Sequence, residues 1–225
     1  MHPLSFTAPR RWHRLGSGAI ALKGKKILSL PPFLFARAIL ANPRAVGAAC
    51  PSSPKLARAI AEQVKLPCDG LILELGAGTG VVTAALLRRG VPPSQLVVVE
   101  RDKRMADHLK KRFKDVAVIH GNAVNFCQLC NRYGRKVSTV VSSLPLLSLP
   151  AGTVTAIGRA FKEMLKDHGT LIQYTYRIAK RPSPLAPFLQ HTASKRVWAN
   201  FPPARVELFK ARLPARPAAN NEDAL

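Results

Sequence analysis

The run Leu71-Ile72-Leu73-Glu74-Leu75-Gly76-Ala77-Gly78-Thr79-Gly80 constrains the fold more than any other feature of the chain. A short, mostly apolar stretch ends abruptly in three glycines spaced two apart, and a helical pattern starts at Val81. An apolar run bounded in this way reads as a strand buried on both faces, as in a parallel sheet. Glycines after such a strand let the backbone turn tightly and come close to a ligand. A dinucleotide fingerprint, G-x-G-x-x-G, needs its last glycine three residues after the second. Val81 stands there instead, and Gly80 follows Gly78 by two, so the spacing argues against a dinucleotide.

The rest of the chain keeps strand and helix patterns alternating. Helices are expected over Ser53–Val64, Val81–Arg89, Lys103–Phe113 and Ala156–Lys166. Strands are expected over Leu71–Leu75, Gln95–Glu100, Val116–His120, Val137–Val141 and Thr170–Tyr176. Ser194–Asn200 and Arg205–Arg212, joined through Pro202-Pro203, suit a closing antiparallel pair. The predicted fold class is α/β, a doubly wound, mostly parallel sheet with an antiparallel C-terminal strand, preceded by N-terminal helices. In the helix from Ser53, Pro54 occupies the first turn, and Ala57, Ile60, Ala61 and Val64 make the buried stripe.

Three features together resemble the class I S-adenosylmethionine-dependent methyltransferases. The first is Glu74-x-Gly76-Ala77-Gly78-x-Gly80, their [DE]-x-G-x-G-x-G motif. The second is Glu100, followed by Arg101, at the end of the second strand, where a carboxylate accepts hydrogen bonds from both ribose hydroxyls. The third is Gly121-Asn122-Ala123 after the third strand. There the family usually has Asp in place of Asn122, against the adenine amino group, and Asn keeps an acceptor oxygen without the charge. The resemblance implies S-adenosyl-L-methionine as cofactor, bound by these residues and Ser142.

The acceptor should lie beyond the carboxyl ends of strands four and five. Adenine N6-methyltransferases, the ribosomal RNA dimethylases among them, carry N-[IL]-P-[YF] or D-P-P-Y after strand four, to hold and stack a base. Here Ser143 and Leu146 replace the Asn and the aromatic residue. Ser142-Ser143-Leu144-Pro145-Leu146-Leu147 instead resembles the S-G-L-P-L-L of bacterial phospholipid N-methyltransferases. That family also has counterparts of Pro51-Ser52-Ser53-Pro54-x-Leu56-Ala57-Arg58-Ala59, of Tyr174-Thr175-Tyr176, and of Asn200-x-Pro202-Pro203-Ala204-x-Val206. Ser143 for Gly, Asn122 for Asp and Arg177 for Gly depart from it. The resemblance, over residues 33–212, implies N-methylation of phosphatidylethanolamine towards phosphatidylcholine. Tyr174, Tyr176 and Ser143 are the candidate catalytic residues. Tyrosines two apart on a strand share a face, where rings attract a methylammonium by roughly 0.5–2 kcal/mol. Packing under a helix is the plainer reading of the same pair. His191, and the cluster Arg177, Lys180 and Arg181, are weighed as phosphate contacts. Three rivals stay open, and two of them are enzymes: an RNA or DNA adenine methyltransferase, and a methyltransferase of another amino-lipid such as ornithine lipid. A third is a binding protein that keeps the fold without the activity.

Charge bears on the partner. Lys and Arg number 35 against 12 Asp and Glu, a formal net charge of +23 in a chain that is 47% apolar. Such a field suits an anionic membrane surface or a nucleic acid, and the missing base-binding residues argue against the latter. Ten basic residues and no acid fall within residues 1–61. Residues 1–28 read as a basic arm, 29–66 as N-terminal helices in contact with the membrane, 67–212 as the methyltransferase domain and 213–225 as a tail. The 29–48 pattern, with Phe33 and Leu34 on one side and Arg37 and Arg44 elsewhere, suits a membrane-surface helix or a cap on the core. No apolar run reaches the ~20 residues a spanning helix needs. Arg10-Arg11 before a short apolar stretch is not read as a cleaved signal. The expected location is cytoplasmic, on the inner face of the cell membrane, with no obligate protein partner. Cys50, Cys68, Cys127 and Cys130 contain one C-x-x-C without the second close pair that zinc usually takes, so no metal is expected.

Overall fold

The computed structural model describes residues 52–126, 134–166, 168–176, 182–200 and 202–212. The readings of residues 1–28 and 29–48, of Cys127 and Cys130, of Arg177, Lys180 and Arg181, and of the tail fall outside the described residues.

Five neighbouring parallel strands run from one edge of a seven-stranded sheet: β1 (Leu71–Leu75), β2 (Leu96–Glu100), β3 (Ala117–His120), β4 (Val137–Ser142) and β5 (Thr170–Thr175). Two more, β6 (Leu189–Val197) and β7 (Ala204–Ala211), complete the order β3-β2-β1-β4-β5-β7-β6, with β7 antiparallel to both neighbours. Every residue of β1 and β2 is buried, as expected of central strands covered on both faces. The strand order reverses between β1 and β4. In open α/β sheets the crevice at such a reversal receives the ligand.

Helices cover both faces. Helix α1 (Pro54–Ala61) starts where its sequence says it should: Ser53 caps it by accepting from the Leu56 N–H at 3.2 Å, and Pro54 fills the first turn. Helices α2 (Val81–Arg89) and α3 (Lys103–Arg112) join it on one face. There Leu56, Ile60, Val64, Leu86 and Leu109 pack on Ile72, Val98, Val141, Ile172 and Val206. Helix α4 (Ala151–Met164) covers the other face, where Ile157 and Phe161 meet Leu73, Val99, Leu171 and Phe209.

Two elements differ from the sequence expectation. Helix α4 begins five residues early, at Ala151. Gly152, Thr153 and Thr155 are poor helix formers, but burial of Val154 and Ile157 on the sheet overrides propensity. Strand β6 begins at Leu189 rather than Ser194. Its residues from Gln190 to Arg196 are exposed, so no alternation marks them; pairing with β7 defines the strand.

Candidate active site

The glycine spacing has a backbone cause. Gly76, Gly78 and Gly80 lie at φ of 74°, 55° and 79°, the left-handed region in which any side chain is strained. The loop thus alternates hands to carry the chain from the end of β1 into α2 within five residues. A Cβ on Gly80 would lie 2.6 Å from the Phe113 ring and 2.7 Å from Leu109, so α3 packs against the bare backbone. A Cβ on Gly78 would have no heavy atom within 4 Å, so that glycine faces open space. Glu100, at the end of β2, takes the Gly78 N–H on Oε2 at 2.8 Å and the Asp102 N–H on Oε1 at 2.9 Å. The carboxylate is nearly buried and fixed from two sides. A carboxylate offers about four lone-pair sites, so two such bonds leave acceptor capacity for a diol. Arg101 is exposed beyond it, its carbonyl held by His120 at 3.1 Å. The Gly121 N–H donates to the Glu100 carbonyl at 3.0 Å, and Asn122 caps the turn at Ala123 by accepting from the Val124 N–H at 3.1 Å.

Glu74 stands elsewhere. It is fully buried between β1 and α2, and Oε2 accepts from the Thr83 hydroxyl at 2.7 Å. Oε1 is buried with no hydrogen-bond partner among the described residues. Burial raises its pKa to about 7, Thr83 opposes the rise, and the charge on Glu100 adds to it. Glu74 therefore anchors the first turn of α2 from within the fold, while Glu100 and Gly78 carry the open side.

The residues expected on the acceptor side lie at the ends of β4 and β5. Ser142 is buried, and its Oγ accepts from the Leu144 N–H at 3.4 Å; Ser143 is half-buried and donates its N–H to the Leu75 carbonyl at 2.9 Å. These bonds hold the Ser-Ser-Leu turn against the glycine loop: a Cβ on Gly76 would lie 3.5 Å from Leu144. Leu146 is buried in the core under α4. Tyr174 and Tyr176 are half-buried on the α1 face, with ring centroids 5.7 Å apart and planes at 79°. The rings share a face, as their spacing predicts, and they pack against the core under α1, which is the plainer of the two sequence readings.

Sequence motifs far apart in the chain meet here. Asn200, 4% exposed, accepts the Ser53 N–H at 3.3 Å and donates to the Pro202 carbonyl at 2.6 Å. The start of α1 is thereby tied to the β6–β7 turn beside the tyrosines. His191 is not part of this assembly. It lies on β6 at the opposite end of the sheet, edge-on to Phe209 at 5.3 Å.

Sequence reasoning missed Gln173. It is 4% exposed, and its Nε2 donates to the Leu144 carbonyl at 3.1 Å and the Tyr174 carbonyl at 2.9 Å, bracing the acceptor turn. An amide inside an apolar strand between two motifs was the available signal. It also missed the buried pair Arg205–Glu207, 2.8 Å apart on β7, directly across from Thr175 and Gln173. Alternation with Val206 and Leu208 marks those two residues as outward-facing, and only the covered second face buries them.

The family described as ribosomal RNA adenine dimethylase matches residues 49–145. An ornithine lipid N-methyltransferase from Singulisphaera acidiphila is 32% identical over 147 residues, covering 64% of this chain and 77% of that protein. The TehB-like SAM-dependent methyltransferase from Corynebacterium glutamicum has a TM-score of 0.53 at 15% identity, covering 80% of this chain and 99% of its own. Aeropyrum pernix fibrillarin, solved with natively bound S-adenosyl-L-methionine, has a TM-score of 0.51 at 17% identity, covering 68% and 72%. At those identities the two structures speak for the fold alone.

Proposed function

The chain belongs to the class I S-adenosylmethionine-dependent methyltransferases, and from that premise we propose that it N-methylates the head-group amine of an amino-lipid at an anionic membrane surface. Phosphatidylethanolamine, taken towards phosphatidylcholine, is the acceptor favoured by the sequence motifs; ornithine lipid is favoured by the named relative. The observation that carries the reading is the acceptor turn. Ser143 stands where an adenine methyltransferase holds its base, and Leu146, at the stacking position, is buried under α4 and offers no ring. The rival, methylation of adenine in RNA, rests on the dimethylase match. That match ends at Pro145, one residue before Leu146, and so lies mostly over the cofactor half.

The residues present fit the cofactor. Glu100 offers a fixed carboxylate to a ribose diol, and Gly78 leaves open space above the loop. S-adenosylmethionine, when bound, supplies the sulfonium methyl and its own leaving group. The protein's task is to present a neutral amine in line and exclude water. An alkylamine in water has a pKa near ~10, and desolvation favours its neutral form. In this reading the half-buried Tyr174–Tyr176 pair supplies that desolvated wall. Its rings favour the methylammonium product by roughly 0.5–2 kcal/mol. The Ser143 hydroxyl, on the turn that Gln173 braces through the Leu144 carbonyl, orients the amine.

The test is transfer of labelled methyl from S-adenosylmethionine to vesicles containing phosphatidylethanolamine or ornithine lipid, with ribosomal RNA in a parallel reaction. Label in a lipid, lost on Glu100→Ala, is the expected result. Label in RNA alone would sink the lipid reading.

A further inference from the structure

Among the described residues, three large hydrophobic side chains are exposed: Met105 at 39%, Leu147 at 44% and Trp198 at 64%. They belong to different elements, yet the topology brings them to one end of the molecule. Met105 lies in the first turn of α3, just after β2 ends at Glu100. Leu147 lies in the short turn Leu146–Ser148 after β4. Trp198 follows Val197, the last residue of β6. Because β6 and β5 both run against β7, β6 ends at the carboxyl end of β5: Val197 is opposite Ala204, and Thr175 is opposite Arg205. The exposed apolar groups therefore rim the end of the sheet on which the glycine loop and the acceptor turn open.

The charges on that rim are positive. Arg196 lies over the Trp198 ring at 5.9 Å, and Arg101 and Arg104 are exposed beside Met105. Of the nearby acids, Glu100 is buried, Asp102 caps α3 and Asp107 is paired with Lys103. A tryptophan flanked by arginine, with Leu and Met on the same rim and, among the described residues there, exposed acids limited to the helix-capping Asp102 and the paired Asp107, matches the boundary between head groups and acyl chains. RNA would explain the cations and a stacking Trp198, but would leave Leu147 and Met105 facing phosphate and water.

We propose that this rim seats on an anionic lipid surface with Trp198 as its interfacial anchor, so that the acceptor turn faces the head groups directly; the proposal rests on the amino-lipid reading of the site. The chain has two tryptophans, so Trp12→Phe leaves Trp198 as sole reporter. With vesicles of phosphatidylglycerol and phosphatidylethanolamine its emission should shift to the blue. Trp198→Ala should weaken vesicle binding about 10-fold and lower methyl transfer to vesicles in proportion, while Trp198→Phe keeps most of both. Transfer to a short-chain phosphatidylethanolamine dissolved below its micelle concentration should be unchanged by Trp198→Ala. Unshifted emission, or vesicle binding indifferent to Trp198→Ala, overturns the anchor while lipid methylation still stands. A shift caused by ribosomal RNA and not by vesicles overturns it as well. Failure of the unsubstituted chain to methylate either lipid form overturns the amino-lipid reading instead, and the emission measurement still decides the anchor.

Discussion

Replacing Glu74 with Gln removes one titrating group from the interior and keeps an acceptor for the Thr83 hydroxyl. Glu74 is fully buried, one oxygen has no partner among the described residues, and burial raises its pKa from 4.5 to about 7. A carboxyl with a raised folded-state pKa holds its proton more tightly folded than unfolded. Its contribution is therefore whole below about pH 4.5 and is lost as the pH climbs through about 7. Each pKa unit is worth about 1.4 kcal/mol, so the loss amounts to about 3 kcal/mol. Urea unfolding of both proteins from pH 5 to 8 isolates this group, because titrations common to both cancel in the difference. The Glu74→Gln protein should gain on the parent by roughly 2–3 kcal/mol between pH 5 and 8, most of it below pH 7. A difference that stays flat across that range would refute the argument that a carboxyl is buried here at the cost of its charge.

Gly80→Ala forces a Cβ into the left-handed region and against Phe113 and Leu109; denaturant unfolding should show a loss of about 1–3 kcal/mol. Asn200→Ala unties Ser53 and leaves the Pro202 carbonyl without its partner, and should cost about 1–3 kcal/mol by the same measurement. Tyr176→Phe keeps the edge-to-face pair and should hold transfer to within about 10-fold. Tyr176→Ala should slow the later methylations more than the first, because each added methyl group weakens the hydration of the ammonium product and leaves more of its stabilisation to the rings. A uniform loss at every methylation step would count against a ring wall at the amine.

The cofactor half was legible because its determinants are local. Alternating strand and helix patterns set β1, β2, α2 and α3 to within a residue, and Glu74-x-Gly76-x-Gly78-x-Gly80 records three left-handed residues in one loop. The resemblance of Asn200-x-Pro202-Pro203 and Pro51-Ser52-Ser53-Pro54 to a known family marked them without saying why they travel together; one hydrogen bond between Asn200 and Ser53 is the reason. What stayed hidden depends on packing. The closing antiparallel strand was expected, but Gln173 and the Arg205–Glu207 pair are buried because both faces of β5 and β7 are covered, and their polar side chains give no sign of that covering. Exposed β6 likewise lacks the alternation that a half-buried strand displays.

The most direct test of the central claim leaves the choice of acceptor to the cell. The chain is expressed in a bacterium whose membrane contains phosphatidylethanolamine and no methylated derivative, and the total lipid extract is weighed by mass spectrometry. Head groups heavier by one, two or three methyl groups, absent with Glu100→Ala, are the predicted result. Unmodified lipids alongside newly methylated adenine in ribosomal RNA would contradict it.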